Sequence, residues 1–191
     1  MGRGFAAPEA NPPAPFRGCP GQWPPTLPMD PRSALLAILR RAHSGELTAA
    51  LAYRGHWLSL KSDAEIAEIR QIEAEEWQHR RRLRAMVEGF GAGPDRVLEA
   101  RMAVLGVIIL IGCNMVGWFI PMYFAGRLES QNDREYEEAA LLAEALGLAE
   151  LQAELKAFAQ LERDHEAYFI RKVAGHPALA FWKRWFHWGP P

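Results

Sequence analysis

Two short stretches of this chain, Glu76-Trp77-Gln78-His79 and Glu162-Arg163-Asp164-His165, share the pattern Glu-x-x-His. Residues three apart lie on one face of an α-helix, so in each stretch the carboxylate and the imidazole can point at one centre. One such pair is a weak signal, because glutamate is abundant and i,i+3 pairs are often solvated. Two of them in separate helices constrain the fold strongly. They require a bundle in which both faces turn inward, with one further Glu from each of two other helices.

The remaining sequence supplies the helices. Apolar residues at three- and four-residue spacing begin with "PRSALLAILRRAHSGELTAALAYRGHWLSLK", which opens on a proline. "SDAEIAEIRQIEAEEWQHRRRLRAMVEGFG" opens on Ser62 with Glu65 three residues later, a capping box, and closes at Gly89 and Gly91. A third and much longer segment has Asp95 near its start and ends at Gly147. A fourth ends at Gly175, ahead of Pro177. No strand alternation, hairpin signal or solenoid repeat is present. The expected fold is all-α, an antiparallel four-helix bundle over residues 32–175 with short connections. Residues 1–31 are too rich in Pro and Gly to bury a core, and are expected to form a disordered tail. An aromatic and basic segment, 176–191, follows the bundle.

Glu46 sits among alanines, leucines and glycine in "HSGELTAALAYRGH", an odd place for a carboxylate without a task. Glu129 adjoins an apolar run, and Ala125 and Gly126 one turn earlier would leave room for a substrate. Glu135, Glu137 and Glu138 compete with it within two turns. With Glu46 and Glu129 added, the candidate ligands are Glu46, Glu76, His79, Glu129, Glu162 and His165, the constellation of ferritin-like dimetal carboxylate bundles. Four carboxylates in a dry interior would repel, and some would take up protons. Two divalent cations cancel their charge. Carboxylate with imidazole suits two iron ions, or alternatively manganese, better than a structural zinc, which favours thiolates. Tyr53 lies two turns beyond Glu46 on the same face. It is expected either to hydrogen-bond a ligand or substrate, or to be a partly buried Tyr with a satisfied hydroxyl.

His43-Ser44-Gly45-Glu46, with Ala49, Tyr53 and Gly55, resembles the first helix of demethoxyubiquinone hydroxylases, ferritin-like diiron monooxygenases of quinone biosynthesis. The resemblance covers residues 36 to about 173. It implies Glu76 with His79 and Glu162 with His165 as the paired ligands and Glu129 as the third-helix ligand. It also implies that Tyr136 is the Tyr of that family's His-Tyr pair. Three positions depart from the pattern: Glu135 stands for the His of the pair, His56 for a Gln, and Glu129-Ser130 for a Glu-Glu doublet. The implied ligand set is intact, whereas the surroundings differ, so an identical substrate does not follow. His43 and His56 are expected at the surface or beside ligands, and His176 and His187 outside the bundle. Glu73, Glu75, Asp164 and Glu166 are expected to be solvated or to support ligands. The run Arg80, Arg81, Arg82 and Arg84 reads as a solvated face or a contact for anionic headgroups.

Met102 to Gly126 carries no charge and is long enough to cross a bilayer. If it did, Glu129 would sit at the interface and could not meet the other carboxylates. A monotopic association, with an apolar patch lying on the cytoplasmic side of a membrane, is therefore expected. "FWKRWFHW" pairs aromatic with basic residues and suits the headgroup zone or a homo-oligomer interface. The net charge of −1 offers no field for nucleic acid. Cys19 and Cys113 form no disulfide framework, and no secretory signal is read at the start.

The expected activity is a diiron monooxygenation of an apolar, quinone-like or isoprenoid lipid with dioxygen. No dinucleotide fingerprint is present, so electrons would come from a donor protein or through the substrate. The alternatives are a ferroxidase or peroxidase, and a non-catalytic membrane-associated bundle.

Overall fold

The first helix, α1 (Pro31–Ser59), starts where its ends can be satisfied. The Asp30 carboxylate accepts from the backbone N–H groups of Arg32 and Ser33, and Pro31 occupies a position that needs no N–H. Helix α2 (Asp63–Gly89) begins at Ser62, whose hydroxyl accepts from the Glu65 N–H, whereas the Glu65 carboxylate, expected to close a capping box, accepts from Trp118 and Lys172 instead. Asp95 caps α3 (Arg96–Cys113) in the same way through Val97 and Leu98. Helices α4 (Phe119–Ala145), α5 (Ala149–Val173) and α6 (Leu179–Phe186) complete the chain. The computed structural model describes residues 30–190, and among these there is no strand. The expected disordered tail lies outside the described residues apart from Asp30 and Pro31.

Helices α1, α2, α4 and α5 form the bundle. Cross-helix pairs fix their directions. Arg54 meets Glu73 while Arg80 meets the His43 carbonyl, so α1 and α2 run antiparallel. Lys172 meets Glu65 while Arg82 meets Glu154, which sets α2 against α5. Arg41 meets Glu135 and Tyr53 meets Glu129, which sets α1 against α4.

The long third segment departs from expectation. It is two helices rather than one rod, with a break between Cys113 and Phe119. Gly117 adopts φ +76°, a left-handed conformation that ends helical propagation. The Asn114 side chain donates to the Leu110 carbonyl, which α3 would otherwise leave unpaired. Pro121 falls in the first turn of α4, where its missing N–H costs nothing. The charge-free run therefore turns back on itself, and among the described residues no helix is long and apolar enough to cross a membrane.

Helix α3 lies outside the bundle, alongside α1. Thr48 donates to the Met102 carbonyl at 2.8 Å, and two glycines permit close approach. A Cβ on Gly55 would overlap the backbone of Leu110, and one on Gly106 would crowd Leu51 and Thr48. Only Gly106 and Cys113 of α3 are buried. Its outer face exposes Val97, Val104, Val107, Ile108 and Ile111.

Two apolar clusters fill the bundle. One gathers Leu35, Leu39, Leu83, Leu155 and Tyr136, and the other Ala49, Ile69, Met122, Phe169 and Tyr53. Each fully buried large side chain contributes about 1.5–3 kcal/mol. The aromatic C-terminal segment is partly docked on the second cluster. Trp188 is buried, with its indole N–H donating to Glu166 and its carbonyl accepting from Tyr123. Its ring fills the space that Gly126 leaves by lacking a Cβ. At Gly126 the room expected for a substrate is thus occupied by the protein itself, whereas Ala125 lines an open recess. Phe181 and Trp185 remain exposed.

Candidate metal centre

Each bundle helix delivers its acid or its acid–imidazole pair to one level of the interior. Glu46 comes from α1, Glu76 and His79 from α2, Glu129 from α4, and Glu162 and His165 from α5, all buried. The i,i+3 spacing places the carboxylate and imidazole of a pair on one turn, as the sequence predicts. Ligand atoms of Glu46, Glu76, His79 and Glu162 lie within 4.8 Å of one another, and so do those of Glu76, Glu129, Glu162 and His165. The two groups share Glu76 and Glu162. Nδ1 of His79 is 3.1 Å from Glu162, and Nδ1 of His165 is 3.7 Å from both Glu76 and Glu129. Of the competitors of Glu129, Glu135 instead pairs with Arg41, and Glu137 with Arg163.

The hydrogen bonds separate two kinds of carboxylate. Tyr53 donates to Oε1 of Glu129, and Tyr136 donates to Oε1 of Glu46. The other oxygen of each has no partner among the described residues. Glu76 and Glu162 have neither oxygen paired, and Nδ1 of both histidines is also unpaired. Eight buried polar atoms of six residues thus converge without partners. Such groups are costly to bury unless something binds them. The donor set suits a cation: Glu46, Glu76, His79, Glu129, Glu162 and His165 would hold it.

The same crowding appears as proton affinity. Burial pushes the Glu76 carboxyl well above the usual carboxylate range, and the charges of Glu46 and Glu162 add to it. Glu162 is raised by burial and then by Glu129. Burial lifts Glu129 to about 8. The Tyr136 hydroxyl is held protonated by burial and by the neighbouring Glu46 and Glu162. For His79, burial opposes protonation, but the adjacent carboxylates of Glu162 and Glu46 together raise it. Without a cation these carboxylates hold protons, and two divalent ions would replace them.

Around the centre the structure adds what the sequence left open. Nε2 of His165 is 2.7 Å from Glu75, which fixes the Nε2–H tautomer and leaves Nδ1 as the free lone pair. Glu75 was legible only as an acid next to Glu76, since its partner comes from another helix. Glu73 is buried and accepts from Arg54, Trp57 and Trp77. Asp164 accepts from Gln160. His43 and His56 are both buried rather than at the surface. His43 faces Glu99 at 3.5 Å, outside the cluster, while its carbonyl accepts from Arg80. Arg80 also pairs with Glu99, so this arginine ties α2 to α3 and is not part of a free basic face. His176 stacks on Phe119.

Two recesses flank the centre along the seam of α1, α3 and α4. One, of about 280 Å³, is lined by Glu46, Tyr136, Met102 and Leu105, with Arg41 and Glu135 at its edge. The other, of about 100 Å³, is lined by Tyr53 and His56 with mostly apolar walls. Leu128 lines both.

A model of the family described as "Ubiquinone biosynthesis protein COQ7" matches residues 33–183. No curated protein and no solved structure matches the chain.

Proposed function

The chain belongs to the ubiquinone biosynthesis protein COQ7 family, and from that premise we propose that it is a dimetal monooxygenase hydroxylating an apolar, quinone-like or isoprenoid lipid with dioxygen. The observation that carries the reading is the pair of overlapping ligand groups joined by Glu76 and Glu162. Two adjacent iron ions, or manganese, held there would supply the redox chemistry that activates dioxygen. In the overall reaction one oxygen atom enters a C–H bond of the lipid and the other leaves as water. The reaction consumes an electron pair and two protons. The electrons come from a donor protein or through the substrate.

The residues of the chain supply the setting. Tyr53 and Tyr136 orient Glu129 and Glu46 through their hydroxyl hydrogen bonds beside the centre. Glu75 orients His165. Leu105, Leu128 and Met102 keep the seam apolar, so a greasy ring displaces water as it enters. The exposed apolar face of α3 supports a peripheral, monotopic contact with a bilayer, from which such a substrate would arrive.

The test is a single turnover. Iron-loaded protein is reduced anaerobically, then mixed with ¹⁸O-labelled dioxygen with and without a demethoxyquinone. Labelled hydroxyquinone is expected. Oxidation of iron or turnover of peroxide without labelled product would support a ferroxidase or peroxidase instead. Failure to bind metal would leave a non-catalytic bundle.

A further inference from the structure

His56 lines the smaller recess and carries a nitrogen without a partner. His56 is 2% exposed, and its Nε2 has no hydrogen-bond partner among the described residues. Around it stand Ile109, Pro121, Phe124 and Leu128, with Cys113 on the α3 side. Phe169 packs near the imidazole, with ring centroids 6.3 Å apart. The site is roofed deliberately by local sequence: Gly55 lets the backbone of Leu110 close onto α1, which brings α3 over the residue that follows.

We propose that this recess binds the oxygen-bearing edge of a six-membered ring, a phenol hydroxyl or a quinone carbonyl, with His56 Nε2 as its hydrogen-bond partner. A lone polar atom in an apolar recess selects for a ligand with one matching oxygen and greasy surroundings. About 100 Å³ accommodates part of a ring rather than a whole lipid. Burial pushes the His56 imidazole down to about 4, so at neutral pH it is uncharged and offers a donor or an acceptor without bringing a charge into the recess. Tyr53 forms part of the same wall, and its hydroxyl contacts Glu129. A ring held by His56 therefore lies next to the centre without displacing a ligand. The inference deepens the proposed lipid hydroxylation and rests on it for the identity of the natural ligand.

The experiment uses the whole 191-residue chain free of metal, so that it does not depend on turnover. The probes are 4-butylphenol and butylbenzene, which share an apolar body and differ by the hydroxyl. Calorimetric titration is expected to show the phenol binding about tenfold more tightly, with a shift of the His56 side-chain ¹⁵N resonance. His56→Leu should abolish the preference and leave butylbenzene binding unchanged, while His56→Gln should retain most of it. Ala125→Leu, which fills the recess, should abolish binding of both. Equal affinities in the natural protein, or a preference that survives in folded His56→Leu, would overturn the assignment. If His56→Leu does not fold, the resonance shift and the Ala125→Leu variant decide. Metal content and labelled hydroxylation are measured separately. Loss of those with phenol selectivity retained removes the enzymatic reading and leaves the recess.

Discussion

Tyr53 of α1 donates its hydroxyl hydrogen bond to Glu129 of α4, a carboxylate on the opposite helix of the bundle. The reverse pair, Tyr136 of α4 with Glu46 of α1, completes a pseudo-two-fold arrangement. In each helix the tyrosine follows the glutamate by seven residues, two helical turns, so antiparallel packing brings each tyrosine opposite the other's acid. Tyr53→Phe and Tyr136→Phe each remove one orienting donor from a candidate ligand. Each is expected to weaken metal binding by about tenfold, in the range seen for groups that support ligands. The measurement is competition with a chelator. An unchanged affinity in both variants would show that the acids are held by packing alone.

Glu76 belongs to both ligand groups, and His165 to one. About two irons per chain are expected in the natural protein. Glu76→Ala should lose nearly all of them and His165→Ala at least one. Glu135→Ala, which breaks only the pair with Arg41, should retain both. Elemental analysis of purified, folded protein settles the order, and full iron content in Glu76→Ala would remove the assignment.

The metal-free protein should lose stability as pH rises from 6.5 to 8. Glu129 has a folded-state value near 8 against 4.5 when exposed, and Glu76, Glu162 and His79 are raised as well. A raised group stabilises the fold below its unfolded value, and that contribution disappears as pH climbs through its folded value. Each such group can remove up to about 1.4 kcal/mol per pH unit. His56, lowered from 6.5 to about 4, acts only on the acid side of this window. Metal loading should reverse the slope, because binding needs the carboxylates deprotonated. Urea denaturation of both forms at the two pH values provides the check.

Gly55→Ala should be more damaging than an ordinary helix glycine substitution, which is neutral to stabilising. The added methyl meets backbone of α3 that cannot step aside, and overpacking of this kind costs about 1–3 kcal/mol or more. Gly126→Ala should cost a similar amount by displacing the Trp188 ring. Gly45→Ala, where nothing lies within 4 Å, serves as the control and should not lower the melting temperature.

If the outer face of α3 rests on a bilayer, Ile108→Asp should reduce co-sedimentation with phosphatidylcholine vesicles several-fold while leaving the helical signal intact. Ile108 is well exposed, so its replacement leaves the core untouched. Vesicle binding equal to that of the natural protein would direct attention to Phe181 and Trp185 instead.

The two Glu-x-x-His pairs and the all-α fold could be read without coordinates because both are local patterns, whereas Glu129 was one of several acids until the fold placed it beside them. Glu-x-x-His is a statement about one helical turn, and capping at Ser62 and Asp95 about three residues. The break at Gly117 was harder. An uninterrupted apolar run reads the same whether it forms one helix or turns back on itself, and only the backbone dihedral distinguishes them. The burial of His56 was likewise illegible, because it depends on α3 closing over α1 across more than fifty residues of sequence.

Sequence alone determined which side chains share a helical face, since the 3.6-residue period assigns faces before any folding occurs. Tertiary structure decided what those faces meet: Tyr53 with Glu129, Glu75 with His165, Trp188 in the gap at Gly126. Those pairings depend on helix register and on the absence of single methyl groups at contacts, quantities set by close packing between distant segments and carried by no local pattern.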